Sequence, residues 1–235
     1  MRPPLRGQVA YPEEMDPGAA VHSRLQRYLD LLYSANRSLN LTRVPRDEAG
    51  ERHLEESLSL LDLAPWEDGA EALDLGSGGG LPGIPLALAR PAVRFRLLER
   101  TQKKARFLTA VAAQLELANV EVVAQDSREY RSSVDFRAPN YLVSRAALPL
   151  ARLVPEVGRI LAPTGTALLL ISPGAAGKEI EQLSRREGFT GFAVLRPGRA
   201  TVLRLRRGGV PLSTMPGRPD GGPTRTPPRG PLPIG

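Results

Sequence analysis

The spacing of apolar residues changes character along the chain. Val21, Leu25, Tyr28, Leu29 and Leu32 recur at helical intervals and predict one amphipathic helix over about 20–36. A second short helix is expected over 47–62, around His53, Leu54, Leu58 and Leu61. Short apolar runs then take over: EALDL, RFRLLE, VEVVA, YLVSR and TALLLI read as five strands. Helical segments separate them. One starts at Ile84–Ala89, with Pro82 and Pro85 tolerated in its first turn. A second is capped by Thr101 and runs to about Ala118, burying Ala105, Leu108, Val111, Ala112 and Leu115. Two more are expected near 149–161 and 177–187. Strands alternating with helices of this length imply right-handed βαβ units and a parallel sheet. GFAVL and TVLRLR are joined only by RPGRA, too short for a crossover, so they must form an antiparallel hairpin. The expected class is α/β and Rossmann-like. It has a mostly parallel seven-stranded sheet, a C-terminal antiparallel hairpin and an N-terminal helical extension over 20–65.

The ends break the pattern. Residues 1–19 contain Pro3, Pro4, Pro12 and Pro17 without periodicity, and residues 208–235 are dominated by proline and glycine. Neither stretch has the apolar content to offset its ordering entropy, so both are expected to be unstructured, with one domain over 20–207. The chain has no cysteine and only two histidines, His22 and His53, which argues against disulfides and a metal site. No signal-peptide core and no membrane-length apolar run is present, so a soluble cytoplasmic protein is expected, without a membrane partner and as a monomer. The formal net charge is +7. That excess makes an anionic partner, nucleic acid above all, a natural candidate.

The chemistry concentrates in LDLGSGGGLPGIPLAL, Leu73 to Leu88. From Gly78 it fits the G-x-G-x-x-G dinucleotide pattern. From Asp74 it fits the acidic-x-Gly-x-Gly-x-Gly loop of S-adenosylmethionine (SAM) enzymes. In both registers the glycines let backbone turn sharply at a strand end and approach a ligand closely. A pyrophosphate would want a helix N-terminus, whereas SAM is cationic at sulfur and amine, and Asp74, two residues before the first glycine, favours a cation. The terminal hairpin points the same way, since a dinucleotide sheet would more often end in another parallel unit. The fold expected is therefore that of a class I SAM-dependent methyltransferase. Glu99 ends the second strand, where it can accept from ribose hydroxyls. Asp126, after strand three, is placed to reach an adenine amino group, and Arg145 follows strand four. All four acidic and basic positions converge on the crevice outside the strand carboxyl ends.

Several motifs together resemble the RsmG (GidB) methyltransferases. DLGSGGGLPGIPLAL carries the Leu-Pro-Gly-Ile-Pro continuation, and LLERTQKKARFLTAV, LNLTRV, RHLEESL and VSRA also match, in consistent order over roughly 21–207. The resemblance implies SAM-dependent methylation of guanine N7 in small-subunit (16S) ribosomal RNA. By position it places Gly76 and Leu81 at the SAM site, with Ser127 and Arg128 at the adenosine end and Arg145 completing the pocket; the loop pattern itself adds Gly78 and Gly80 to the cofactor side. The resemblance puts Asn40, Arg52 and His53 near the active-site mouth, on the RNA side. Three features depart from the family. Ala35-Asn36 stands for Trp-Asn, Glu56 stands for the usual Asp, and Ser172-Pro173-Gly174 replaces a Leu-Lys-Gly motif, removing a cation from the substrate side.

The residues agree with that target in what they exclude. Pyrimidine C5 methylation normally needs a cysteine nucleophile. Amine methylation usually uses an Asn/Asp-Pro-Pro-aromatic clamp, where this chain has SRAALPL. Guanine N7 offers an in-plane lone pair and no proton to lose, so it needs alignment rather than a general base. No catalytic base is assigned, and His53 and Arg145 are the candidates nearest that role. Lys103, Lys104 and Arg106, with Arg100, form a basic helix start for RNA phosphates, and Arg37, Arg43, Arg46 and Arg52 add charge near the N-terminus. Three other readings stay open: a methyltransferase of another RNA or a small molecule, an NAD(P) oxidoreductase, and an inactive RNA-binding homologue.

Overall fold

The computed structural model describes residues 17–145 and 148–208. A seven-stranded sheet runs in the order β3-β2-β1-β4-β5-β7-β6. Its strands are β1 (Glu71–Leu75), β2 (Arg94–Leu98), β3 (Val120–Val123), β4 (Tyr141–Arg145), β5 (Thr166–Leu170), β6 (Gly191–Leu195) and β7 (Val202–Arg206). The first five pair in parallel, and β7 runs antiparallel to both β5 and β6. The expected hairpin is present. The antiparallel strand, however, lies inside the sheet, and β6 takes the edge.

α1 (Pro17–Leu39) starts inside the stretch expected to be unstructured. The predicted 47–62 helix is a segment of changing winding. A wide π-type turn spans Gly50–Glu55, α2 covers Glu56–Leu58, and a 3₁₀ turn covers Ser59–Leu63. The wide turn brings sequence neighbours His53 and Leu54 both into the interior. α3 (Gly83–Ala89) is a complete short helix, and Pro91 follows two residues past its end. α4 (Gln102–Gln114) stops earlier than expected, and Glu116 just beyond it takes φ 49°. The Thr101 side chain makes no cap. Glu99 Oε1 instead accepts from the Thr101 amide at 2.7 Å. α5 (Ser127–Ser132) has no counterpart in the apolar pattern, while α6 (Leu150–Ile160) and α7 (Lys178–Arg186) match expectation to within a residue or two.

Strand alternation divides the core. Leu73, Leu142, Leu169 and Leu203 pack on Leu153, Val154 and Val157 of α6. Residues of the opposite face, Ala72, Phe95, Tyr141 and Leu168, pack with Trp66 and with Leu86 of α3. α1 lays Leu25, Tyr28, Leu29 and Leu32 against Ile84, Leu108 and Val111. The helical extension therefore sits on the glycine loop and on α4, and it reaches the carboxyl ends of the strands.

Candidate active site

The loop after β1 turns through three left-handed glycines, Gly76 (φ 74°), Gly78 (φ 56°) and Gly80 (φ 96°). Only glycine adopts such values without strain. Gly76 and Gly78 face a cavity of about 850 Å³ at the strand carboxyl ends. A Cβ at Gly78 would meet no protein atom closer than the Gly76 carbonyl at 3.9 Å, so it would project into the cavity. Gly80 instead sits over Ile84 and Leu108, where a Cβ would fall 2.7 Å from Ile84 Cγ1.

Glu99 is buried at the end of β2 and ties the loop to α4. Its Oε2 accepts from the Gly78 amide at 2.9 Å, and Oε1 takes the Thr101 amide. Asp126, Ser127 and Arg128 form the adjoining wall with Lys104. Asp126 Oδ1 accepts from the amides of Arg128 (2.8 Å) and Glu129 (2.9 Å), while Glu129 reaches back to the Asp126 amide. This capping box creates the α5 start and holds the Asp126 carboxyl below its usual range. Gln125 and the α6 residues Ala151, Arg152, Pro155, Glu156 and Arg159 complete the cavity. Sequence reading missed these α6 positions, although their three-to-four-residue spacing on the predicted 149–161 helix was the available signal.

Three predicted residues lie under the cavity and not on its wall. Leu81 is in the core with α1 and α4. Gly80 is packed as described. Asp74 points to the α3 side because alternation sends it to the face opposite Leu73 and Leu75. Its Oδ2 accepts from the amide of Gly83, the first residue of α3, at 3.0 Å, and Oδ1 is buried without a partner among the described residues. Full burial raises its pKa to about 7. The expectation that Asp74 faces a cationic ligand is corrected: it anchors the glycine loop to the helix start.

A second cavity of about 520 Å³ adjoins the first and shares Arg145 and Leu148 with it. Arg52, Glu56, Ser172 and Arg199 are among its walls. Arg145 stands between the two. Its guanidinium donates to the Glu56 carboxylate and to the Arg52 carbonyl (2.6 Å), and lies 3.4 Å from His53 Nδ1. His53 Nε2 is 2.8 Å from Thr42 Oγ1. Asn36 in turn holds Thr42, its Oδ1 accepting the Leu41 and Thr42 amides and its Nδ2 donating to the Thr42 carbonyl. A hydrogen-bonded path thus runs from α1 to the junction of the cavities. Burial and the neighbouring Arg145 lower the His53 pKa to about 4, so the ring is neutral near pH 7. The neutral ring donates from Nδ1 to the Arg52 carbonyl (3.2 Å), which also accepts from Arg145, and its Nε2 accepts from the hydroxyl of Thr42, whose oxygen takes the Val44 amide. His53 lines neither cavity, which makes it a support for Arg145 and not a base facing a substrate.

The remaining expected RNA contacts are dispersed. Asn40 is exposed, with φ 50°, at the end of α1. Lys103 and Arg106 are exposed on α4 and do not line the cavity that Lys104 lines. Arg46 is paired with Asp30, and Arg52 with Glu48. Among the described residues no group of three metal-ligating side chains occurs, and no helix is long and apolar enough to cross a membrane.

This architecture is that of the class I SAM-dependent methyltransferases. The chain is similar in fold to a SAM-dependent methyltransferase from Aquifex aeolicus. That match has a TM-score of 0.52 at 15% identity and covers 82% of this chain and 98% of that one. A mutant of MtNAS, solved in complex with S-adenosylmethionine, matches with a TM-score of 0.56 at 17% identity, covering 83% and 80%. The family model GidB, rRNA small subunit methyltransferase G, matches residues 21–197. Relatives named ribosomal RNA small subunit methyltransferase G agree. The one from Sorangium cellulosum is 37% identical over 207 residues, 85% of each chain, and that from Solibacter usitatus is 38% identical over 182 residues, covering 75% and 82%. The chain belongs to the GidB family of rRNA small subunit methyltransferases.

Proposed function

We propose that the protein transfers a methyl group from SAM to N7 of a guanine in 16S rRNA. The observation that carries this reading is the pair of adjoining cavities meeting at Arg145 and Leu148. One is bounded by the glycine turn and Glu99, the other by the helical extension and the β5 end.

The first cavity fits the cofactor. The open space beside Gly78 admits a ligand against backbone, and Glu99 and Asp126 offer acceptors for ribose hydroxyls and an adenine amine. Gly76, Gly78, Glu99, Asp126, Ser127 and Arg128 would hold it. Bound there, SAM supplies an electrophilic methyl on its sulfonium. Arg145 and Leu148 then set the boundary across which acceptor and methyl must align, and alignment is the main requirement for N7. A neutral His53, bonded away from both cavities, is consistent with a reaction that needs no base. Lys104, Arg100, Arg128 and Arg152 at the first cavity would neutralise phosphates of a soluble cytoplasmic substrate, the ribosomal subunit.

The test is methylation of undermodified 30S subunits with labelled SAM, followed by mass-spectrometric mapping. One new 7-methylguanine in 16S rRNA is expected, with SAM binding abolished by Gly78→Asp. An unchanged rRNA map, or tight NADH binding in place of SAM, overturns the reading. Ser172 in place of the family lysine favours one second reading, the same chemistry on a different RNA, for which the same map is diagnostic.

A further inference from the structure

The second cavity has a composition the cofactor does not explain. Leu148, Leu153, Leu170, Ile171 and Pro173 give it apolar walls. Among the described residues Glu56 is the one acid on the wall, and its side chain keeps 20% of its exposure. Oε2 of Glu56 accepts from Arg145, whereas Oε1 has no protein donor among the described residues. Arg52 and Arg199 stand at the mouth, each with a carboxylate partner of its own, Glu48 at 3.0 Å and Glu51 at 2.6 Å. A slot with apolar walls on one side, the Glu56 carboxylate held by Arg145 on the other, and the exposed guanidinium groups of Arg52 and Arg199 suits a flat base on a phosphate chain. Its volume lies within the range of about 300–1,000 Å³ usual for small-molecule sites.

Resting on the guanine reading above, we infer that this slot receives an extruded guanine and that Glu56 selects it by accepting from its N1–H and N2–H₂ donors. Guanine presents those two donors side by side on its Watson–Crick edge, and an ionised carboxylate presents only acceptors. Adenine offers one donor and one acceptor there, so its N1 lone pair would oppose the carboxylate. The bond from Arg145 orients the Glu56 carboxylate while leaving lone pairs on both oxygens. Holding the Watson–Crick edge also leaves N7, on the opposite edge, uncommitted. Glu56 is thus a specificity-determining residue, and the family's aspartate offers the same acceptor on a shorter stem.

The test separates this inference from the rRNA reading. Protein saturated with S-adenosylhomocysteine is titrated with GMP, IMP and AMP by ligand-observed NMR, and 30S methylation is measured in parallel. The wild type is expected to bind GMP about tenfold more tightly than AMP, with IMP, which lacks the N2 donors, between them. Glu56→Gln should bring the three within about threefold, while Glu56→Asp keeps the preference and SAM affinity stays within about twofold. If the wild type has no GMP preference, or Glu56→Gln keeps it, the inference is wrong. If the preference depends on Glu56 but 30S subunits are not methylated, the inference stands and the rRNA reading falls. If Glu56→Gln methylates 30S at the wild-type rate, the inference falls and the rRNA reading stands.

Discussion

The hydroxyl of Tyr28 donates a buried hydrogen bond of 2.8 Å to the carbonyl of Gly79. One residue in the middle of α1 therefore holds the centre of the glycine loop. Tyr28 is completely buried, which raises its pKa well above the usual phenol range, so it stays a donor. Leu32, one turn further, closes on the same glycine, where an added Cβ would lie 2.9 Å from Leu32 Cδ1. Tyr28→Phe should cost about 2 kcal/mol in urea unfolding by leaving the Gly79 carbonyl unpaired. Because that carbonyl shapes the turn at Gly78, KM for SAM should rise while kcat holds. A stability loss with unchanged KM would show that α1 only buttresses the fold.

Gly78 and Gly83 should fail in different ways. A Cβ on Gly83 would lie 2.4 Å from Leu97 Cδ2 and 2.6 Å from Asp74 Oδ2, both buried. Neither neighbour can withdraw, so Gly83→Ala should lose about 3 kcal/mol in a denaturant titration. At Gly78 no protein atom blocks the methyl, and the cost is only that of the left-handed φ, about 1 kcal/mol. Calorimetry should then show weakened SAM binding in a protein that is still folded. Equal stability losses in the two variants would contradict this division.

Asp74 and His53 make opposite contributions to the pH dependence of stability. The Asp74 pKa is raised from 3.8 to about 7, so the folded state holds a proton that the unfolded state has released between those values. Its stabilisation is full below about pH 4 and is lost as pH rises to 7. The His53 pKa is lowered from 6.5 to about 4, so its stabilisation is full above 6.5 and is lost as pH falls towards 4. Between pH 4 and 6.5 the two slopes oppose each other. Asp74→Asn should leave the His53 slope exposed, and the variant should gain relative to wild type by about 4 kcal/mol from pH 4 to 7. Urea midpoints at fixed pH values measure this; a pH-independent difference would mean that Asp74 is ionised throughout.

The same residues show where the sequence is legible. Apolar runs bounded by turn residues locate all seven strands to within a residue, because each strand must be buried on at least one face. The short linker between β6 and β7 requires antiparallel pairing, but it cannot say which strand lies inside; that follows from β7 pairing with β5 along Thr166–Leu170. Glu99 is readable because it ends a strand at the cavity. Asp74 is misplaced by motif spacing, which ignores the alternation that turns it beneath the loop. Arg152 and Arg159 escape notice because a basic residue on a helix is ordinarily solvated, and only the tertiary fold turns that face to the cavity. The Asn36–Thr42–His53–Arg145 path joins four separate stretches of chain, and no local pattern announces it.

Ser172 is exposed on the wall of the second cavity, past the end of β5; Thr201 and Arg199 line the same cavity. The resemblance places a lysine there, and the exposed position has room for one. Ser172→Lys should therefore add a cation at the mouth of the base slot without disturbing the fold. If the slot faces the rRNA backbone, the variant should bind 30S subunits more tightly at low salt. Its log-affinity against log-salt slope should steepen by about one unit, the signature of one extra phosphate contact. SAM affinity should not move, since Ser172 does not line the first cavity. Filter binding across a salt series gives the slope. A variant with the wild-type slope would place the RNA backbone away from the β5 end and leave its phosphates to the basic residues of the first cavity.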